Sequence, residues 1–426
     1  MSFFPEVVIL NDWAFITGGS TAVAVASALG LARRGVRVTL FTCVGPIDPA
    51  LSNIPNLEVH CLGQQEIAKD TNRLRAFASG LRNGAAVRAL RAILSRKDPA
   101  RTIVHVHTWM KALSPFVLDV AIQLGFPLVV TLHDFFITCP TGGFFDHGAQ
   151  DLCERTPLSR SCVTCNCDRR NYGHKLWRVG RTLLQNVFLK VPRNTSYFVG
   201  VSNFSLNVMR PFLPQNVPVA MVRNPVDCVN LGPAAVRENR AFVYLGRFEI
   251  EKGVLLFAEA VRATNLPAVF IGDGALAPEV RHLCPTARFT GWLKPEQIRQ
   301  ELSQARSLVF PPTWYETLGL VTVEATAAGV PPLISNRCAA TDFIKDGENG
   351  LHFEHKSVES LAQKMQRLAN DPDLAPRLGR NAYHWYWNDP WTADQHVAEL
   401  MKLYQDCLSN RGTGARHSAR ESPVRV

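Results

Sequence analysis

The sequence predicts an α/β protein made of two doubly wound, parallel-sheet, Rossmann-like units facing each other across a cleft. Three observations carry this expectation. Short apolar strands alternate with helix-forming segments along most of the 426 residues. The alternation restarts after Asn224-Pro225. Glycines and polar residues follow the strand ends, where open parallel sheets hold their ligands.

The elements follow in order. Val7-Val8-Ile9-Leu10 reads as a buried strand; Gly18-Gly19 follows, then a small-residue helix over 20–33, ended by Gly35. Further strands are expected over 36–42, 102–107, 128–132 and 197–201. In the second unit strands are expected over 242–245, 268–271, 288–290, 308–310 and 332–335, with helices over 294–305 and 357–370 between and after them. The join, 215–240, is rich in proline and glycine: Pro214, Pro218, Pro225, Gly232 and Pro233. The expected domains are therefore 1–215, carrying a Cys-rich insertion at 139–167, and 216–390. A helix over 391–408 is expected to pack back toward the first unit. The polar, basic tail 409–426 is expected to be disordered.

Composition excludes some classes. Hydrophobic residues are 46% and charged residues 19%, a globular balance rather than a disordered one. No apolar run reaches the roughly 18–20 residues needed to span a bilayer. The first residues lack a basic region and an apolar core, so no export signal is expected. Net charge is +10, and it lies in one half: residues 1–220 hold 23 Lys+Arg against 13 Asp+Glu. Arg73, Arg75, Arg82, Arg88, Arg91, Arg96, Lys97 and Arg101 interleave with Leu74, Phe77, Leu81 and Leu90. This reads either as a solvated helix face or as a basic amphipathic segment suited to an anionic membrane surface or ligand. No nucleic-acid-binding signature accompanies it.

Of eleven cysteines, five are crowded at Cys139, Cys153, Cys162, Cys165 and Cys167. Cys139, Cys153, Cys162 and Cys165 have the ligand count of a structural zinc site, although the spacing is not a standard one. Free thiols and disulfides remain as alternatives.

The richest stretch is 311–328. Glu316 closes a loop after an apolar strand, and Glu324 lies about two turns into the helix that follows. Either acid alone is ordinary capping or surface chemistry. Together they suit two hydroxylated parts of one ligand, beside helix N–H groups that attract anions. Arg247 and Lys252, in Gly246-Arg-Phe-Glu-Ile-Glu-Lys-Gly253, suit a diphosphate: arginine grips two oxygens and lysine acts as a point charge. Gly18 and Gly19 allow close approach of backbone N–H groups to a phosphate.

Gly246-Arg-x4-Lys252-Gly253, Gly272-Asp-Gly274, Glu316-x7-Glu324, Asp346-Gly-Glu-Asn-Gly350 and the early Gly18-Gly19, in this order, resemble the retaining glycosyltransferases of family 4, the group 1 class of GT-B fold. The resemblance covers about 5–408. It implies a hexosyltransferase that moves a sugar from a nucleoside-diphosphate-sugar to a hydroxyl acceptor, with retention and without a catalytic metal or other cofactor. Arg247 and Lys252 would meet the departing diphosphate. Glu316 would hold the donor sugar and Glu324 the ribose. Backbone amides of Leu318 and Gly319 would touch the sugar, and those of Gly18 and Gly19 the phosphate. His133, in Thr131-Leu-His-Asp134, matches the family's active-site histidine. Departures are Thr317 and Leu318, where the family has Gly and Phe, and Pro225 in Asn224-Pro-Val-Asp227. The insertion is expected to shape the acceptor side. The basic first unit suggests a lipid-linked or growing polysaccharide acceptor and a cytoplasmic protein, peripheral on the inner face of the cell membrane. The alternatives are a nucleotide-sugar epimerase of the same architecture and a non-catalytic sugar-binding protein.

Overall fold

A computed structural model of the chain describes residues 5–226 and 228–418. Asp227 and residues 419–426 lie outside the described residues.

The first lobe is a seven-stranded parallel sheet. Its strands are β1 (Glu6–Trp13), β2 (Val38–Val44), β3 (Leu57–Gln64), β4 (Thr102–Val106) and β5 (Leu128–Thr131). A small antiparallel pair, β6 (Phe145–Asp146) and β7 (Asp151–Leu152), sits inside the Cys-rich insertion. The sheet continues with β8 (Tyr197–Gly200) and β9 (Val219–Met221), in the order β3-β2-β1-β4-β5-β8-β9. The second lobe holds β10 (Ala241–Leu245), β11 (Ala268–Ile271), β12 (Arg288–Gly291), β13 (Ala305–Phe310), β14 (Pro332–Ser335) and β15 (Leu351–Phe353). Its order is β12-β11-β10-β13-β14-β15, again all parallel. In both sheets the order runs outward from the first strand and then reverses, which is the doubly wound arrangement. The central strands are buried on both faces, so they read as continuous apolar runs.

Three boundaries differ from the sequence reading. The first sheet extends to Met221, past the boundary expected at 215, because β9 pairs with β8. The last helix runs from Ala393 to Ser418 rather than stopping at 408. The basic segment is two helices, Arg73–Leu81 and Gly84–Leu94, each capped by an asparagine side chain, Asn72 and Asn83.

The C-terminal helix crosses back to the first lobe. Val397, Leu400, Leu403, Tyr404 and Cys407 join the apolar layer under β1, β2 and the helix Gly19–Arg33. A Cβ on Gly30 would lie 2.5 Å from Val397, so the two helices meet at van der Waals distance through a glycine.

Candidate active site

The strand order brings distant residues to two facing edges. In each lobe the switch point lies beside the first strand, between β1 and β4 and between β10 and β13. The residues singled out from the sequence follow these strands. Gly18 and Gly19 come after β1, His133 after β5, Arg247 and Lys252 after β10, and Glu316 after β13.

In the second lobe Lys252 and Glu316 form an ion pair through Nζ and Oε2. Both side chains are mostly buried, 20% and 14% exposed. Trp314 Nε1 donates to the same Glu316 oxygen at 3.0 Å, and its ring lies 4.7 Å from the Lys252 ammonium. Tryptophan thus fixes the pair from two sides. Arg247 is exposed on the adjoining loop. Gly253 ends the Lys252 turn with φ +69°, and a Cβ there would sit 1.7 Å from the Pro311 carbonyl oxygen. Only glycine lets the Lys252 loop lie directly on the Glu316 loop.

The helix Leu320–Ala327 begins beside Glu316. Gly319 precedes it with φ +78°, packed so that a Cβ would lie 2.7 Å from the Phe310 ring. Leu318 is buried. Glu324 lies on this helix at a recess, enclosed by protein yet partly open to solvent. Burial pushes its carboxyl up to about 7, and Arg299 offsets this only in part.

In the first lobe, the main-chain N–H groups of Thr17 and Gly18 are held by Thr21 Oγ1 at 2.8 and 3.1 Å. Gly19 opens the helix Gly19–Arg33, and a Cβ on it would lie 3.0 Å from Leu320 of the other lobe. The two helix N-termini therefore face each other. His133 Nε2 shares a hydrogen bond with His107 Nδ1 at 2.9 Å, their rings stacked 5.2 Å apart. Burial pulls His133 down to about 3 and His107 well below its usual range, so both are neutral near pH 7. The loop carrying His107 is tied down by Asp12, whose carboxylate accepts the N–H groups of Lys111, Ala112 and Leu113 at 2.8–3.0 Å.

Three residues with a place in this site were not chosen from the sequence. His107 ends the β4 segment, so its position at a strand end was a usable signal. Trp314 lies inside the 311–328 stretch. Thr317, noted only as a departure, donates through Oγ1 to the His133 carbonyl at 3.0 Å, while its own carbonyl accepts from Ser202 Oγ at 2.6 Å. It binds the lobes together at the cleft floor.

The insertion behaves differently from expectation. It reaches the second lobe: Glu154 meets Arg337 at 3.4 Å, Asp151 meets Lys356 at 3.2 Å, and Gly143 packs against Trp314. Just beyond it, Arg169 pairs with Glu249. It therefore walls the second lobe as well as the first. Its cysteines are free thiols. Cys165 turns to Asp146, with Sγ 3.2 Å from Oδ2, and the buried Lys175 ammonium sits 3.1 Å from Cys167 and 3.5 Å from Cys162. Among the described residues no group of three or more His, Cys, Asp or Glu side chains is arranged to hold a metal ion. The zinc expectation for Cys139, Cys153, Cys162 and Cys165 thus finds no assembled ligand set: Cys139 meets Thr141, Cys153 meets Arg155, Cys162 meets Lys175 and Cys165 meets Asp146 instead.

Comparison with known proteins agrees with this architecture. Glycosyltransferase Family 4 matches residues 17–229, and Glycosyl transferases group 1 matches residues 233–385. D-inositol 3-phosphate glycosyltransferase of Rhodococcus erythropolis is 24% identical over 434 residues, covering 93% of this chain and 88% of that protein. Glycogen synthase of Mycobacterium tuberculosis is 30% identical over 186 residues, covering 40% of this chain and only 44% of that protein. Among solved structures, sucrose-phosphate synthase from Thermosynechococcus elongatus superposes with a TM-score of 0.70 at 18% identity, over 95% of this chain and 100% of that one. Anabaena Alr3699/HepE in complex with UDP and glucose gives 0.65 at 15% identity, over 94% and 100%. The chain belongs to glycosyltransferase family 4, the group 1 glycosyl transferases, and has the GT-B fold.

Proposed function

We propose that the protein is a retaining hexosyltransferase that moves a sugar from a nucleoside-diphosphate-sugar to a hydroxyl of a lipid-linked or growing polysaccharide acceptor. The observation that carries this reading is the Lys252–Glu316–Trp314 group, set at the second lobe's switch point and facing His133 through the Thr317 bond. The crystallised HepE complexes with UDP and UDP-glucose support a nucleotide-sugar as the donor class.

Glycosyl transfer breaks the bond between the anomeric carbon and phosphate, and negative charge grows on the departing diphosphate. Arg247 and Lys252 are the cations at hand, and the helix N-termini at Gly19 and Leu320 add oriented N–H groups. Groups that meet charge as it develops lower the barrier rather than merely tightening binding. In this reading those cations supply the compensation that a divalent metal supplies elsewhere. Lys252 exchanges its Glu316 partner for phosphate oxygens when donor enters. Glu316 is then free to accept from sugar hydroxyls, and Glu324 to accept from the ribose. Neutral His133, engaged at Nε2 by His107, keeps Nδ1 for the sugar or acceptor. The acceptor hydroxyl attacks from the leaving-group side and its proton passes to the departing phosphate, which retains configuration. The two lobes, joined at Thr317, exclude water from the donor.

No described helix is long and apolar enough to cross a membrane. A cytoplasmic protein working at a membrane surface is part of this proposal.

A thermal-shift screen across nucleoside-diphosphate-sugars tests the donor assignment. A donor at 100 times its dissociation constant adds about 2.7 kcal/mol of stability. No stabilisation by any nucleotide-sugar, with the protein folded, would sink the proposal.

A further inference from the structure

A second cavity lies in the first lobe, of about 340 Å³, between the helices Arg73–Leu81 and Tyr172–Leu183. Five cations line it: Arg73, Lys111, Arg170, Arg178 and Arg181. No acid is among its lining residues. Its remaining wall is largely apolar, including Phe77, Met110, Phe136 and Trp177.

Arg181 is the telling residue. It is 3% exposed, and its guanidinium is stacked 4.6 Å from the Trp177 ring and 5.7 Å from Phe136. Nη1 donates to the Met110 carbonyl at 2.9 Å, but among the described residues the buried Nε has no partner. The carboxylates of Asp12 and Asp134 reach it only at longer range, and Arg178 repels it. Trp177 Nε1 is a second buried donor without a partner. Of the other cations, Arg178 alone has a close acid among the described residues, Asp168 at 3.1 Å. Lys111 is exposed and its ammonium lies 5.7 Å from the Phe136 ring. A buried charge without a counter-charge is costly, and unpartnered buried donors are rare in native proteins. The buried donors Arg181 Nε and Trp177 Nε1, beside the exposed cations Arg73, Lys111 and Arg170, suit an anion with several oxygens.

The surroundings say what carries the anion. Leu74 and Phe77 on one flanking helix are 84% and 53% exposed. On the other, Leu176 and Leu183 are exposed, and Val187 and Phe188 follow them. These apolar side chains stand among Arg73, Arg75, Arg82 and Lys190. Exposed apolar groups interleaved with cations suit an amphiphile lodged in an anionic bilayer.

We propose that this cavity binds the phosphate or pyrophosphate head of a lipid-linked substrate. Its hydrocarbon chain leaves over Leu74, Phe77, Leu176 and Leu183 into the membrane. The assignment rests on the glycosyl transfer proposed above, because it makes this lipid the acceptor. The cavity loops are those of the active site: Met110 and Lys111 follow His107, and Phe136 follows His133. A sugar carried on the bound head is thereby presented toward His133.

The test is calorimetric titration of the full chain with farnesyl diphosphate, inorganic pyrophosphate and farnesol, followed by a nucleotide-sugar on the same samples. Farnesyl diphosphate should bind at least about tenfold more tightly than either fragment. Lys111→Ala and Arg73→Ala should each weaken it about tenfold, the scale of one charge-assisted hydrogen bond. Nucleotide-sugar binding by the other lobe should stay unchanged in both variants, which also reports that they are folded. Equal binding of farnesol would overturn the anion site, and equal binding of pyrophosphate would overturn the lipid assignment. Absence of farnesyl diphosphate binding, or wild-type affinity in both variants, would overturn the proposal as a whole. Failure of the nucleotide-sugar alone to bind would instead strike the proposed transfer reaction, so the two ideas fail separately.

Discussion

Replacing Lys252 by alanine probes the centre of the proposed mechanism. Two effects should follow, and the structure sets their sizes. The first is on stability. Glu316 is 14% exposed and would keep only Trp314 Nε1, at 3.0 Å, as a donor. Exposed ion pairs contribute about 0–1 kcal/mol, and breaking a fully buried one costs about 3–5 kcal/mol. This mostly buried pair falls between, so a loss of roughly 1–3 kcal/mol is expected. That lowers the melting temperature by roughly 2–12 °C for lobes of this size. The second effect is on chemistry. Losing one charge that meets the departing diphosphate should slow turnover about 10²–10³-fold, equivalent to about 2.7–4 kcal/mol of barrier. The assay is acceptor-dependent release of nucleoside diphosphate, measured well below the variant's melting temperature and at saturating donor. Near-normal turnover of the folded variant would refute the reasoning, as would a loss that vanishes when donor concentration is raised.

Other outcomes follow from the same geometry. Burial raises the Glu324 carboxyl from its ordinary 4.5 to about 7, so ionising it in the folded state costs stability as pH rises through that window. Glu324→Gln without ligand should therefore be more stable than the native protein at pH 8 and indistinguishable near pH 4, while binding donor more weakly; equal melting curves at pH 8 would contradict this. Gly253→Ala combines φ +69° with a Cβ 1.7 Å from the Pro311 oxygen, and should cost at least about 1–2 kcal/mol in denaturant unfolding; native stability would show that the loop does not need glycine. Thr317→Val removes the bond to the His133 carbonyl, worth about 0.5–1.5 kcal/mol, so donor affinity should fall about two- to tenfold with the fold intact, measured by titration. Burial and Asp146 raise the Cys165 thiol to about 11, so iodoacetamide should label it slowly at pH 7.5 and faster in Asp146→Asn; rapid labelling of the native protein would contradict the contact.

Much of the fold was readable because parallel strands buried on both faces are short continuous apolar runs. The runs ending at Leu10, Leu245 and Phe310 could each be seen without knowing any neighbour. The site was readable to the extent that motifs sit just after those runs: Arg247, Lys252 and Glu316 all do, and the structure brings Lys252 and Glu316 into contact. Thr317 looked like a mere departure, since a hydroxyl's partner 184 positions away leaves no local trace. The cysteines stayed ambiguous for a related reason. Their number suggested ligands, but Lys175 and Asp146 claim Cys162, Cys167 and Cys165, and only packing reveals such partners. For the tail, composition alone does not forbid the helix continuing to Ser418, and the rest of it lies outside the described residues.

By itself the sequence determined two α/β lobes, the order of the glycine, cation and acid motifs along them, and a basic first half. These rest on local periodicity and on glycines and charges placed at strand ends. The tertiary structure alone decided that Lys252 is held by Glu316 and Trp314, that His107 backs His133, that the insertion clasps the second lobe, and that five cations of the first lobe surround one cavity. Those facts depend on strand order and lobe docking. Both bring together residues tens to hundreds of positions apart, at distances that hydropathy patterns along the chain do not encode.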